Sequence, residues 1–524
     1  MTTRTRKAAP ALDLAAYGEQ LDRFAAQVNE ATYRQMAGLA DEMGLEAIYA
    51  EHAGLFEPRA IERLRRAASG DGDEAPQARA LLWFALDQHL ASAVAGLSER
   101  ISTAESTAIV MWRGERIPYR AVWNRAADMP HRAERNALAA SYYEAVEAIN
   151  PLRQERLARA VAAVQALGYR DVPDMVAQVG GFEPQALAAQ QRAFLLDSET
   201  VYFAALRRYL AELDIEQGDA SRVDLARILR GGGWDGWFPA RGMLPALRGT
   251  LAGLGIDLDA QAAIQLDVEH RDRKSPRAFC APVRVPDDIR LVIQPRGGWD
   301  DYAAVMHQAG HAEHFAHVAP DLPVAFRRAG DDSLTEGYGA LFELLVGEPA
   351  WLTEQVGMPE GEALAFADFN AFWQLAQMRS QAAGLIYQLD LHAGTDPAIA
   401  REQYAGMVET SLGVIAASEN YLAETDDNLY VARYIRAMML QGSLSAWLQA
   451  NHGAAWWRSP QAGDTLRRSW SRGQEWNAQD VVAHLGYDRL DWRPVLRQIR
   501  TQLIGEMSGY GGPNITTRAG TRKV

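Results

Sequence analysis

Cysteine is almost missing from this chain: Cys280 is the sole one among 524 residues. An intrachain disulfide and a Cys-rich zinc site are both excluded by that count, and a reducing, cytoplasmic setting is expected. Long apolar runs are lacking as well. No stretch of about 18 or more apolar residues occurs, so no membrane span is expected. The opening "MTTRTRKAAPALDLAAYGEQ" begins basic, but Asp13 and Glu19 interrupt what a secretory signal would need as an apolar core. Positive charge is in deficit, with 53 Lys and Arg against 67 Asp and Glu and a formal net charge of −14. Such a chain has no general attraction for nucleic acid or anionic lipid, which points to neutral or basic partners. The glycine-rich "GGGWDG" has no lysine or Ser/Thr in phosphate-loop register and is no nucleotide site.

What is present is an ordinary globular composition, 48% hydrophobic and 23% charged. The length exceeds the roughly 250–300 residues at which one core stops growing, so two or more lobes are expected. Residues 1–10 and the tail 509–524 are polar and non-periodic and read as mobile ends. From 11 to 230 the chain is rich in Ala, Leu, Glu and Arg at helical spacing, as in 183–213, and reads as a helical N-terminal lobe. "ASGDGDEAPQ" (68–77) reads as a loop between helices and "RGGGWDGWFP" (230–239) as a connection. The remaining lobe, 231–508, opens differently. Three β-favouring runs, 263–270, 278–285 and 289–295, predict a small sheet inserted in a mainly α protein. "GGW" (297–299) then breaks the chain, and Asp300 or Asp301 is expected to cap the helix that follows.

That helix carries "VMHQAGHAEHFAH" (305–317). Residues four apart project from one helical face, so His307 and His311 are able to point at a single ion. An open zinc site needs three protein ligands, and imidazole with carboxylate suits it. Glu336, in "DDSLTEGYGALFELLV" (331–346), is the candidate third ligand, on a helix capped from Asp331, Asp332 or Ser333. Glu343, seven positions on, shares its face and is placed to orient a ligand histidine. His314 and His317 read as flanking residues, since a fourth protein ligand would close the site. The competing reading is an amphipathic helix whose histidines are hydrogen-bonded near the core.

These residues resemble the thimet oligopeptidase and oligoendopeptidase F family of zinc metallopeptidases, which carry His-Glu-x-Gly-His and a glutamate ligand 25 residues past the second histidine. "HQAGH" supplies His307, Gly310 and His311, and Glu336 falls at the matching distance. "KSPRAFCAPVRVPDDIRLVIQP" is similar to the family's Gly-Ala-Phe-Cys stretch and its edge strand. "NLYVARYIRAMMLQGSLSAWL" (428–448) is similar to the segment whose tyrosines contact substrate, matched by Tyr434 and Tyr430. The resemblance is strongest over 264–448. It implies a two-lobed helical ellipsoid with a deep central channel, one Zn2+ per chain, and short peptides as substrates.

The sequence departs from that pattern twice. No histidine precedes the tyrosine pair in "YLAETDDNLY" (421–430), which removes one donor to a developing oxyanion. Gln308 stands where the family has its general base, and a carboxamide is no base near neutral pH. The expectation is an oligopeptidase-type metallopeptidase scaffold whose hydrolysis is weakened or abolished by Gln308. The alternatives are a non-catalytic zinc- and peptide-binding protein and a retooled zinc enzyme acting on a modified peptide.

Overall fold

A computed structural model describes residues 12–503. The mobile ends expected over 1–10 and 509–524 lie outside the described residues. Among the described residues, twenty α-helices and two small sheets make the protein mainly α, with a small sheet beside the His-bearing helix, as expected.

The elements that position the site begin with α1 (Leu14–Met36), capped by Asp13, whose carboxylate accepts the Ala16 N–H at 3.0 Å. Helix α2 (Ala75–Thr107) follows a loop that falls within the expected 68–77. By length and composition α2 is apolar enough to cross a bilayer. Here its N-terminal half contributes Leu81, Leu82, Leu86 and Leu90 to the core.

Between α2 and the long α3 (Arg132–Ala166) lies an antiparallel hairpin, β1 (Ile109–Trp112) and β2 (Glu115–Pro118), inside the region expected to be wholly helical. Arg113 and Gly114 both have positive φ, 50° and 84°, the conformation a two-residue hairpin turn requires. The apolar stretch 109–112 is too short for its strand character to stand out against helical flanks, and Arg at the first turn position hides the usual Asn-Gly signal. Helix α4 (Pro184–Ala211) occupies the periodic stretch 183–213. One core cluster runs from Leu14 to Leu503 and so joins both sides of position 230.

The three expected strands are β3 (Ile264–Asp267), β4 (Phe279–Arg284) and β5 (Asp288–Val292). Their order is β3-β5-β4, with β3 parallel and β4 antiparallel to β5. Alternation along β4 sends Phe279 and Ala281 to a small cluster with Tyr33 and Met36 of α1. Cys280, on the other face, meets the next helix.

Helix α5 (Trp299–Ala316) starts from Gly298, which has φ 97° and offers no side-chain cap. This corrects the expected cap by Asp300 or Asp301. Asp301 instead folds back and accepts the N–H groups of Arg296 and Gly297 at 2.8 and 3.0 Å, rigidifying the loop before the helix. Helix α6 (Asp332–Glu343) has its cap at Asp331, whose carboxylate accepts the Ser333 N–H at 3.1 Å. Helix α7 (Glu360–His392) packs on α4, and α8 (Tyr430–His452) lies against α6. Asp426 starts α8 by accepting the N–H groups of Tyr430 and Val431.

Candidate metal centre

Helices α5 and α6 run antiparallel: His307 pairs with Glu343 at one end and His311 with Thr335 at the other. They approach closely because two glycines face each other. A Cβ on Gly310 would lie 2.5 Å from the Tyr338 carbonyl oxygen, and one on Gly339 would lie 2.8 Å from His307 Nε2.

This approach brings His307, His311 and Glu336 into one group. The two Nε2 atoms are 3.0 Å apart, and Glu336 Oε2 lies 3.4 Å from the first and 3.8 Å from the second. Ligands on a tetrahedral ion with bonds of about 2.0–2.1 Å sit about 3.3 Å from one another, so these spacings bracket the required triangle. The far side of each ring is also committed. His307 Nδ1 is 2.8 Å from Glu343 Oε2 and His311 Nδ1 is 2.9 Å from Thr335 Oγ1. With both imidazoles neutral, donation from both Nδ1 atoms would leave the two Nε2 atoms free to share a cation.

The electrostatics agree. Burial opposes charge on His307, but hydrogen bonds to Glu336 and Glu343 outweigh it and draw the pKa up to about 9. Burial and the neighbouring His307 charge pull His311 down to about 3. Glu336 is held below the usual carboxyl range: burial raises it, and the hydrogen bond to His307 and the imidazole charges overcome that. The group thus favours positive charge between its carboxylates. The donor set fits a divalent metal ion.

His307 and Glu336 face a cavity of about 480 Å³ that Gln308, Glu343 and Tyr434 also line, with His311 buried behind them. Gln308 Oε1 accepts the Cys280 N–H at 2.8 Å, tying the side chain to β4. Tyr430 donates to Glu336 Oε1 at 3.0 Å, so its hydroxyl is engaged with a ligand residue. Tyr434, 42% exposed, stands at the cavity wall with its ring centroid 5.0 Å from that of Tyr430. Opposite lies a face of α7 carrying Asn370, Gln374, Gln377 and Gln381. Further cavities adjoin on two sides, one sharing Gln381 and Tyr434, the other sharing Arg277, Trp299 and Gln377.

The flanking histidines and the charged residues near them take no part. His314 is buried against Phe315 and Tyr338, and His317 Nδ1 is 2.8 Å from the Glu313 carbonyl oxygen. Glu313 points away from the triad and accepts from Gln261 at 2.9 Å. Arg327 and Arg328 bind carbonyl oxygens of Val285, Pro282 and Val283, so they brace β4. Thr335, the amide face of α7 and Arg277 were not singled out from the sequence. Thr335 had a usable signal: it directly precedes Glu336 on a helix expected to face the histidines. The chain matches no family model and no curated protein. The fold and the site therefore define a mainly helical protein with a possible His-His-Glu metal centre on a cleft.

Proposed function

We propose that this protein is a zinc-dependent oligopeptidase-type metallopeptidase scaffold that binds short peptides in the cleft, with hydrolysis weakened or abolished by Gln308. The observation that carries the reading is the convergence of His307, His311 and Glu336 beside the cavity, each imidazole oriented from behind. Zinc held there would supply a Lewis acid that polarises a carbonyl and acidifies water. The chain's own groups do the rest. Gln308 is fixed by β4 through its oxygen and offers the cleft only amide N–H groups, which donate and accept no proton. Burial raises the Tyr434 phenol to about 12, so it remains a hydrogen-bond donor at neutral pH, suited to a developing oxyanion. Tyr430 steadies Glu336.

A peptide-binding protein without turnover is the second reading, favoured by the missing carboxylate at 308. Both readings require metal. Elemental analysis of protein purified without chelator should give about one zinc per chain. Replacing His307, His311 or Glu336 by Ala should remove it. Metal-free wild-type protein, or zinc unchanged in all three variants, refutes the proposal.

A further inference from the structure

The cleft around the triad is lined by Glu336, Glu343 and Asp300, and apart from the ligand histidine His307 the basic side chain among them is Arg277. Its side chain is exposed and makes no ion pair among the described residues. The arginines deeper in the adjoining cavity are already committed: Arg222 pairs with Glu424 at 2.7 Å and Arg230 with Asp235 at 2.7 Å. Arg296 likewise makes no ion pair among the described residues, but it lines the adjoining cavity and not the cleft. Arg277 lines both, at their junction, and its charge reaches Tyr434.

The backbone that presents Arg277 is held firmly. Lys274, fully buried, sends its ammonium to Asp267 Oδ1 and to the carbonyl oxygens of Asp267, Glu269 and Ile293, all within 3.0 Å. The Ser275 N–H donates to the Met36 carbonyl at 2.7 Å, and the Ser275 hydroxyl donates to the Arg277 carbonyl at 2.9 Å. Pro276 removes one further degree of freedom. With its backbone already ordered, the segment loses only the side-chain freedom of Arg277 when the guanidinium closes on a ligand.

From this we infer that Arg277 is a ligand-anchoring residue which seats a carboxylate of the bound peptide and thereby sets the direction in which the peptide lies. The inference rests on the peptide-binding reading above. A guanidinium grips a carboxylate through two parallel N–H···O bonds, a geometry that a carboxamide cannot match in charge. Asp300 and Glu343 disfavour the same carboxylate beside them. The amides of Gln374, Gln377 and Gln381 pair with peptide N–H and C=O groups without regard to sequence. The carboxylate belongs either to the peptide's C-terminus or to an Asp or Glu side chain.

Fluorescence anisotropy on the full-length zinc-loaded protein tests this with three N-terminally labelled probes: penta-alanine as free acid, penta-alanine amide, and an alanine pentapeptide amide containing one Glu. The free acid, the Glu-containing amide or both should bind about tenfold more tightly than penta-alanine amide, the worth of one charge-assisted pair. Which of the two gains identifies the source of the carboxylate. In Arg277→Gln the preference should vanish with zinc content unchanged, and in Arg277→Lys part of it should return. Equal binding of all three probes, or a preference that survives Arg277→Gln, overturns the anchor and leaves peptide binding standing. Failure of every probe to bind zinc-loaded wild type overturns both.

Discussion

Restoring a carboxylate at position 308 is the sharpest perturbation the site offers. Gln308→Glu keeps the shape of the side chain and keeps an oxygen for the Cys280 N–H, now 2.8 Å from Gln308 Oε1. The atom that changes is the other one, from an amide nitrogen to a carboxylate oxygen. The new carboxylate shares its cavity with Glu336 and Glu343, whose charge raises its proton affinity toward the range useful to a base near neutral pH. General-base assistance is worth about 10²–10⁴ in rate, or roughly 3–5 kcal/mol of barrier. The variant should therefore cleave internally quenched peptides at least about 100-fold faster than the wild type in kcat, with KM little changed. Its pH–rate profile should gain an ascending limb that the wild type lacks. Zinc content, measured on the same samples, should be equal. Equal rates in the two forms, or no cleavage by either while both hold zinc, would show that position 308 is not where catalysis is gated.

Two further outcomes follow from the surroundings of the triad. Glu343→Ala removes the acceptor behind His307 and should weaken zinc affinity about 10–100-fold, read by competition with a chromogenic chelator; unchanged affinity would deny the orienting role. Asp331 is buried, which by itself would raise its pKa, but Arg436 and the N–H groups of Ala478 and Ser333 bring it down to about 2 from 3.8. A depressed carboxyl pKa stabilises the fold above the unfolded value and ceases to do so as pH falls through the folded one. That difference amounts to about 2 kcal/mol. Urea unfolding should show wild type losing its advantage over Asp331→Asn between pH 4 and pH 2, and a gap independent of pH would refute the assignment.

Local pattern carried much of this structure into the sequence. Helical spacing marked 183–213, and β-branched runs marked all three strands of the sheet, because each signal is a periodicity within one short segment. The His307, His311 and Glu336 grouping was legible for the same reason: two ligands share a helical face and the third follows a strong cap. What stayed hidden depends on partners far away in the chain. Thr335 meets His311 across a helix interface, and the amides of α7 meet the cleft only once that helix has packed on α4. Asp301 reads as a cap and acts as a loop clamp, since nothing local says that Gly297 will turn its N–H toward it. Arg277 reads as one more surface charge until the buried Lys274 is seen fixing the segment that holds it.

The glycine contact between α5 and α6 carries an implication for how this protein tolerates change. Gly339 has no room for a methyl group because the imidazole of His307 occupies that space, and Gly310 has none because the Tyr338 carbonyl does. In a saturation library selected for metal retention, these two positions should be depleted of every alternative as severely as the ligands themselves. A sequence comparison that weighs only ion-binding side chains would overlook them, although the absence of a side chain at each is what lets the histidines and the glutamate meet.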